Sequence, residues 1–319
     1  MSRILVTGGA GRLGRTLVAG LAGAGHELIS VDRGESDAAE LAGIRQVALD
    51  LTDADATTRL LARERPDAVI HLAAIAVPFS APEDVILRTN AALAASVLGG
   101  AVTAGVPKIV AASSPTALGY NCPTGWVPDR FPLDERTEPR PWNAYALSKH
   151  LIEQTVRMLA RQTGDAVRLA SFRPCYVIAP EEWAGAPTQQ GHTVRERLDD
   201  PALSAPAVFN YVDARDVAAF CERLLDALPD IPNAETFFVG ADDALAREPL
   251  ADLIPRFHPG TAQAAAVLTG SAPAFSNAKA KRLLGWAPAH SWRDALRDTP
   301  AGPAPASPDP LPTGKPQLA

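Results

Sequence analysis

Short runs rich in β-branched residues alternate with longer Ala- and Leu-rich stretches along the first half of the chain, and this alternation restricts its fold more than any other feature. Strands separated by helical stretches cannot form tight hairpins, so they pair as parallel neighbours joined by crossover helices. The pattern therefore predicts an α/β fold with a doubly wound parallel sheet, covered by helices on both faces. The predicted strands are residues 4–6, 27–31, 44–48, 66–71, 108–112 and 166–172.

A glycine-rich loop, TGGAGRLG at residues 7–14, directly follows the first predicted strand and opens the first predicted helix. Gly8 permits a tight turn, Gly11 lets the backbone approach a diphosphate, and Gly14 allows the helix to pack closely on the strand. The free N–H groups and the dipole of the helix N-terminus favour phosphate binding. In this strand–turn–helix context the spacing predicts a Rossmann dinucleotide site. Its predicted cofactor contacts in the loop are Gly8, Gly11, Arg12, Leu13 and Gly14.

Asp32 ends the second predicted strand, where a carboxylate can accept hydrogen bonds from both ribose hydroxyls of NAD. The same carboxylate would repel the additional phosphate of NADP. Arg33, the next residue, could instead pair with that phosphate. Because Asp32 holds the position at the end of the strand, the sequence favours NAD over NADP, with Asp32 and Arg33 both in contact with the cofactor.

Tyr145 and Lys149 are four residues apart, so they lie on one face of a predicted helix. A phenol ordinarily has a pKa near 10 and is a poor base at neutral pH. A neighbouring ammonium group favours the phenolate, so we expect Lys149 to lower the pKa of Tyr145 and make it a usable acid and base. Lys149 could also hold the nicotinamide ribose.

Together with Ser113 and Ser114 after the fifth predicted strand, the glycine loop and the Tyr–Lys pair resemble the extended short-chain dehydrogenases of the NAD-dependent epimerase/dehydratase family. The resemblance extends over residues 3–297. It implies that Ser114 hydrogen-bonds the reacting oxygen, with Thr116 as a possible helper, while Tyr145 moves the proton. The substrate contacts it implies are thus Ser114, Thr116 and Tyr145. It also implies cofactor contacts at Asp50, Leu51, Leu72, Ala73, Ala74, Asn90, Ser113, Tyr145, Lys149 and Cys175.

The resemblance implies hydride transfer between a carbinol carbon and nicotinamide. Two departures from the family pattern indicate which branch of the family the chain resembles most. Ala117 and Leu118 stand where dehydratases of the family carry an acid, which argues against dehydration. Cys175 follows Arg173 closely, where nucleotide-sugar epimerases commonly have an Asn, and this stretch has a loose likeness to uronate dehydrogenases. A sugar or sugar-acid dehydrogenase is therefore expected first. The alternatives are a nucleotide-sugar epimerase, a reductase of aromatic or ketone substrates, and a non-catalytic NAD(P)-binding protein.

The regular alternation breaks down beyond the sixth predicted strand. Residues 207–211 and 235–239 are predicted to be strands that return to the sheet, with a helix over residues 213–227 between them. Residues 173–206 are rich in Pro, Gly and polar side chains, which is typical of loops and a short helix over a cleft.

These patterns predict a Rossmann domain of residues 1–172, to which residues 207–240 return. Residues 173–206 and 241–298 are predicted to form a smaller C-terminal substrate-binding lobe. Residues 299–319 consist mainly of Pro, Ala, Gly, Ser and Asp, and are predicted to be a disordered tail.

The composition and charge of the chain limit the kinds of binding partner that we expect. The formal net charge is −6 and the basic residues are scattered, so no nucleic-acid partner is expected. Cys122, Cys175 and Cys221 lack metal-ligand spacing, which argues against a bound metal and favours the reducing cytoplasm. The N-terminus lacks a signal-peptide pattern, and we expect no apolar run to be long enough to span a bilayer. No association with a membrane is therefore expected. The family resemblance, in turn, implies a carbohydrate-like small molecule as partner and a homodimer through the helices after the fourth and fifth strands.

Overall fold

Parallel strands form the centre of the computed structural model, which describes residues 1–297. The predicted tail of residues 299–319 lies outside this described part. A seven-stranded sheet has the order β3-β2-β1-β4-β5-β6-β9, and a separate two-stranded sheet pairs β7 with β8. The strands are β1 (Arg3–Thr7), β2 (Glu27–Asp32), β3 (Arg45–Ala48), β4 (Ala68–His71), β5 (Lys108–Ala112), β6 (Arg168–Pro174), β7 (Val177–Ile178), β8 (Val212–Asp213) and β9 (Glu235–Val239).

Helices connect these strands and cover both faces of the sheet, which confirms the predicted doubly wound α/β class. Side chains alternate across each strand, so Ile4 and Val6 pack on one face while Leu5 packs on the other. The helices are α1 (Arg12–Gly23), α2 (Ala54–Glu64), α3 (Glu83–Thr103), α4 (Ala144–Thr163), α5 (Pro180–Trp183), α6 (Val194–Asp199), α7 (Ala214–Ala227), α8 (Leu250–Phe257), α9 (Ala262–Ala265), α10 (Ala278–Leu284) and α11 (Trp292–Ala295).

The two faces have different helical covers. Helices α1 and α7 pack together on one face, and their core continues into α8 and α10 of the C-terminal part. Helices α2, α3 and α4 pack together on the other face. The strand order reverses between β1 and β4, and in open parallel sheets ligands bind at the carboxyl ends of strands at such a point.

Two predictions about secondary structure and hydropathy are wrong. Residues 207–211 do not form a strand, because Pro206 has no N–H and Val208 and Phe209 adopt positive φ angles of 49° and 56° in a turn. The expectation that no apolar run could span a bilayer fails for α3, which is long and apolar enough by length and composition. In the described part of the chain this helix packs between α2 and α4 against the sheet.

Candidate active site

A cleft of about 1140 Å³ opens at the carboxyl ends of the parallel strands. The glycine loop forms one end, and the start of α4 faces the loop segments that follow β6. The cleft is lined by all the predicted site residues except Asn90: Gly8, Gly11, Arg12, Leu13, Gly14, Asp32, Arg33, Asp50, Leu51, Leu72, Ala73, Ala74, Ser113, Ser114, Thr116, Tyr145, Lys149 and Cys175.

The glycine loop forms a floor on which side chains have no room. A Cβ atom at Gly14 would lie 2.1 Å from the carbonyl oxygen of Gly8, and one at Gly9 would lie 2.3 Å from the Ser30 hydroxyl. Gly8 has a φ of +72°, and its Cβ would lie 2.8 Å from the Ala73 nitrogen. Gly11 is the N-cap of α1 and provides no side-chain cap. This bare helix N-terminus fits the diphosphate of a dinucleotide.

Two carboxylates line the cleft beyond the glycine loop. Asp32 accepts hydrogen bonds from the Arg33 nitrogen at 2.8 Å and the Ala10 nitrogen at 3.3 Å, which fixes its side chain at the end of β2. Asp50 accepts hydrogen bonds from the backbone nitrogen and the hydroxyl of Thr52, at 2.9 and 2.7 Å. These bonds to Thr52 hold the pKa of the Asp50 carboxyl below its usual value. Both carboxylates are thus held as hydrogen-bond acceptors at the wall of the cleft.

Tyr145 lies in the first turn of α4, which begins after the N-cap residue Asn143. The Asn143 side-chain oxygen accepts a hydrogen bond from the Ala146 nitrogen at 2.8 Å. The Ser114 hydroxyl is the polar group that acts to lower the pKa of the Tyr145 phenol, and both side chains line the cleft. The Ser114 oxygen itself accepts from the backbone nitrogen and the hydroxyl of Thr116, at 3.2 and 2.9 Å. With both acceptor positions filled, the Ser114 hydroxyl hydrogen is left to be donated to the phenol oxygen or to a substrate oxygen.

The predicted lowering of the Tyr145 pKa by Lys149 is not found. Burial raises the pKa of Tyr145 to about 12, although the hydrogen bond from Ser114 opposes this shift. The Lys149 ammonium is 5.8 Å from the centre of the phenol ring and donates to the Ala112 carbonyl oxygen at 3.0 Å. Burial also lowers the pKa of Lys149 to about 8. The phenol is therefore protonated at neutral pH.

A buried ion pair that the sequence motifs did not reveal supports the Tyr–Lys pair from beneath. Glu153 accepts hydrogen bonds from the Arg173 guanidinium at 2.7 and 2.8 Å. The Ser113 hydroxyl lies 2.7 Å from the Glu153 carboxylate and 3.1 Å from the Lys149 carbonyl oxygen. The Ser113 hydroxyl is therefore engaged inside the protein. The position of Glu153, one helical turn after Lys149 on the same face of α4, was the available sequence signal.

Asn90 lies behind the wall of the cleft. Its side-chain oxygen accepts from the Ile75 nitrogen at 2.8 Å, and its amide nitrogen donates to the Ser148 hydroxyl at 3.0 Å. Asn90 thus ties the loop after β4 to helix α4, next to Tyr145. Its predicted cofactor contact would be indirect in this geometry, because the amide is engaged with these partners and also with the Ile75 carbonyl oxygen at 3.2 Å.

His71 and Thr7 hold the wall between β1 and β4. The Thr7 hydroxyl oxygen accepts from the Leu72 and Ala73 nitrogens at 3.2 and 3.3 Å, so its hydrogen is left for the His71 Nδ1 atom at 2.8 Å. Burial, followed by the nearby Lys149 charge, lowers the pKa of His71 to about 3. A neutral imidazole therefore accepts this bond and fixes the backbone that lines the cleft.

These features define a Rossmann dinucleotide cleft with a Tyr–Lys pair, as in the extended short-chain dehydrogenases. The family model of the NAD dependent epimerase/dehydratase family matches residues 4–240, and the chain belongs to this family. The resemblance inferred from the motifs is thereby confirmed.

Two relatives are aligned with the chain over very different shares of their own length. The chain is 38% identical to the 2'-dehydrokanamycin reductase of Streptomyces kanamyceticus, over 49% of this chain and 38% of that protein. It is 29% identical to the L-arabinose 1-dehydrogenase (NAD(P)(+)) of Haloferax volcanii, over 76% of this chain and 90% of that protein. The chain spans less than half the length of several curated relatives that it matches.

The solved structures show the same fold. One of them is a UDP-glucose 4-epimerase from Brucella ovis in complex with NAD. It superposes with a TM-score of 0.70 and 20% identity, over 93% of this chain and 96% of that chain. At this level of identity, the likeness shows a shared fold.

Proposed function

We propose that the chain is an NAD-dependent dehydrogenase that moves a hydride between nicotinamide and a carbinol carbon of a sugar or sugar acid. The observation that carries this proposal is the grouping of Ser114, Tyr145 and Lys149 at the wall of one cleft, with the Lys149 ammonium 5.8 Å from the centre of the Tyr145 ring. When bound, NAD supplies the hydride acceptor. The side chains of the protein then have to orient the substrate oxygen and move its proton.

The roles we assign follow from the hydrogen-bond directions. Ser114, which accepts from Thr116, donates to the substrate oxygen and orients it. Tyr145 removes the hydroxyl proton in oxidation and returns it in reduction. Lys149 is charged below its pKa of about 8, and this charge stabilises the phenolate during turnover. The phenol starts protonated, so oxidation requires its proton to leave before or during hydride transfer.

The cofactor proposal rests on the glycine loop and on Asp32, which both line the cleft. The bare glycine loop fits the diphosphate, and Asp32 is held as an acceptor for ribose hydroxyls by two backbone N–H groups. A fixed carboxylate at this position favours NAD over NADP. The exposed Arg33 side chain is the feature that would favour NADP.

The other end of the cleft combines aromatic rings with amide side chains. Phe79 and Trp142 line it as a pair with ring centres 5.7 Å apart, whereas Gln189, Gln190 and Asn210 line it with polar groups. A sugar ring presents apolar C–H faces and polar hydroxyl edges, so this combination supports a carbohydrate. A reductase of wholly apolar ketones would not need the amides.

A buried cation near these amides supports an acidic sugar. Arg197 is 1% exposed, lies behind the residues that line the cleft, and forms no ion pair with a carboxylate among residues 1–297. It donates to the side-chain oxygen of Gln190 at 2.6 Å and lies 4.2 Å over the Tyr176 ring, and both partners line the cleft. Within the described part of the chain, the Arg197 Nε and the Tyr176 hydroxyl have no hydrogen-bond partner. A buried, unpaired charge is unfavourable, and a substrate carboxylate would compensate it.

A nucleotide-sugar epimerase is the alternative that the fold allows. One relative that is aligned over 90% of its own length, however, is a dehydrogenase, which supports the simple oxidoreductase. The buried thiol of Cys175 lines the cleft close after Arg173, where an amide would be expected for nucleotide-sugar epimerases.

We also propose a cytoplasmic homodimer. The α3–α4 pair leaves Val85, Leu147, Leu151 and Met158 exposed, and a second copy could cover them. All three cysteines are free thiols, which suits a reducing compartment. The division into a Rossmann domain, residues 1–172 with 207–240, and a substrate lobe, residues 173–206 and 241–297 of the described chain, stays part of this proposal.

A substrate screen tests the proposed function. The purified protein should be largely free of cofactor and should form one NADH per substrate oxidised, with sugar acids oxidised faster than the corresponding neutral sugars. Arg197→Met should raise KM for the acids and leave KM for neutral sugars unchanged. Tightly bound NAD with interconversion of nucleotide sugars and no net NADH would establish the epimerase instead. Turnover of ketones but of no sugar would overturn the carbohydrate assignment.

A further inference from the structure

Two ion pairs connect α5 to the first turns of α1, immediately beside the glycine loop. Glu182 pairs with Arg12, and Glu181 pairs with Arg15 at 2.7 Å. The two pairs are similar in chemistry but differ in environment. The Glu182 side chain is 1% exposed, whereas that of Glu181 is 42% exposed. Arg12 lines the cleft, and Arg15 is not among its lining residues.

Glu182 is buried and held in place, whereas Arg12 is partly exposed. The second carboxylate oxygen of Glu182 accepts a hydrogen bond from the Ala179 nitrogen at 2.7 Å, so the side chain cannot turn away into solvent. The Arg12 side chain is 39% exposed at the mouth of the cleft. The pair therefore has a fixed anion and a cation that can reach other partners.

Arg12 is the only basic residue of the glycine loop, so its pairing decides the side-chain charge at the phosphate end of the cleft. With Glu182 in contact, that charge is neutralised. A diphosphate in the loop would then be held by backbone N–H groups and the helix dipole, without a free side-chain cation.

We propose that Glu182 limits the affinity for the cofactor diphosphate by neutralising Arg12, so that the cofactor is released after each turnover. The inference rests on the proposed function, because only a dehydrogenase must exchange its cofactor in every cycle. Binding should then follow the net charge of the residue pair at positions 12 and 182, whether or not both side chains are present.

Wild type, two single variants and the double variant test whether binding follows this net charge. The ligand is ADP-ribose, which carries the diphosphate but undergoes no hydride chemistry. By titration calorimetry, Glu182→Gln should bind ADP-ribose about tenfold more tightly than wild type, as expected for one additional charge-assisted hydrogen bond to the diphosphate. Arg12→Met should bind about tenfold more weakly than wild type, because it leaves the buried carboxylate unpaired. The double variant Arg12→Met/Glu182→Gln should return to within about threefold of wild type.

The exposed pair provides the matched control. Glu181→Gln and Arg15→Met should each leave the affinity within about twofold, as expected for an exposed ion pair. Adenosine, which has no phosphate, should bind all variants alike. NADH release from Glu182→Gln, followed by stopped-flow fluorescence, should be slower by the same factor by which the affinity rises.

Several results would overturn the inference. If Arg12 binds the diphosphate directly in wild type and Glu182 only orients it, the double variant will be as weak as Arg12→Met. Unchanged or weaker ADP-ribose binding by a folded Glu182→Gln protein would also refute the inference and leave the proposed function standing. If that variant does not fold, the comparison of Arg12→Met with the double variant decides the question. Absence of ADP-ribose binding by wild type would refute both the inference and the proposed function.

Discussion

Replacing Glu153 by glutamine tests the buried ion pair beneath the Tyr–Lys site. The Glu153 side chain is fully buried and accepts both guanidinium hydrogen bonds from Arg173, whose side chain is 2% exposed. Glutamine has the same shape and can keep one acceptor, but it removes the negative charge. The substitution therefore leaves the Arg173 guanidinium buried without a counter-ion and weakens the anchoring of Ser113.

The magnitude can be worked from the pKa of Glu153. Burial alone would raise this pKa, but the hydrogen bonds and charge of Arg173, together with hydrogen bonds from His150 and Ser113, outweigh burial and lower it from 4.5 to about 2. A shift of that size corresponds to roughly 3 kcal/mol of stability at neutral pH. Loss of one partner of a buried pair costs about 3–5 kcal/mol. We therefore expect Glu153→Gln to lower the free energy of unfolding by about 3 kcal/mol.

The sign of the pH dependence follows from the same shift. Because the folded-state pKa lies below the ordinary value, the stabilisation is complete above pH 4.5 and is lost as the pH falls toward 2. In urea unfolding, the difference in the free energy of unfolding between wild type and Glu153→Gln should thus become smaller as the pH falls over this range. Glu138→Gln is the control, since the Glu138–Arg140 pair is mostly exposed and contributes about 0–1 kcal/mol. A gap no larger than that of the control, or one that does not change with pH, would refute the reasoning.

Three further predictions concern chemistry, cofactor and assembly. Tyr145→Phe should lower turnover about a hundred- to ten-thousand-fold with unchanged NAD affinity, and wild-type oxidation should accelerate above neutral pH because the phenol pKa is about 12; a flat pH–rate profile would contradict this. Asp32→Ala should weaken NAD binding about ten- to a hundredfold and NADP binding less, whereas a wild-type preference for NADPH would oppose it. Met158→Glu should convert the dimer to a monomer in light scattering, unless wild type is already monomeric.

The sheet could be predicted because its determinants are local. Apolar strands with helical crossovers fix the α/β class, and the glycine spacing after β1 identifies the cofactor loop. Residues 207–211 also read as an apolar strand, but the left-handed backbone at Val208 and Phe209 ends any extended structure there. Apolar content alone could not distinguish this buried turn from a strand.

The interactions around the site were harder to predict because they join distant segments. Glu153 and Arg173 are on different elements, and Glu182 meets Arg12 only after the chain has returned to the glycine loop. The Tyr145 pKa shows the same limitation. The spacing of Tyr145 and Lys149 predicts a favourable charge effect, but burial of Tyr145 against the segment after β4 and helix α3 is a tertiary property that raises its pKa instead.

The protonated phenol changes how the site must operate. A phenolate in a buried cleft needs hydrogen-bond donors. Among the described residues the Ser114 hydroxyl, whose oxygen accepts from the Thr116 hydroxyl, is one group that acts to lower the Tyr145 pKa. The Lys149 ammonium is the other source of stabilisation, but it bonds the Ala112 carbonyl oxygen and its own pKa is lowered to about 8. A bound substrate that displaces solvent would strengthen both effects, since charges interact more strongly at low dielectric. In the proposed mechanism Tyr145 is therefore protonated at rest, and oxidation would depend on how far Lys149 and Ser114 stabilise the phenolate once the substrate is in place.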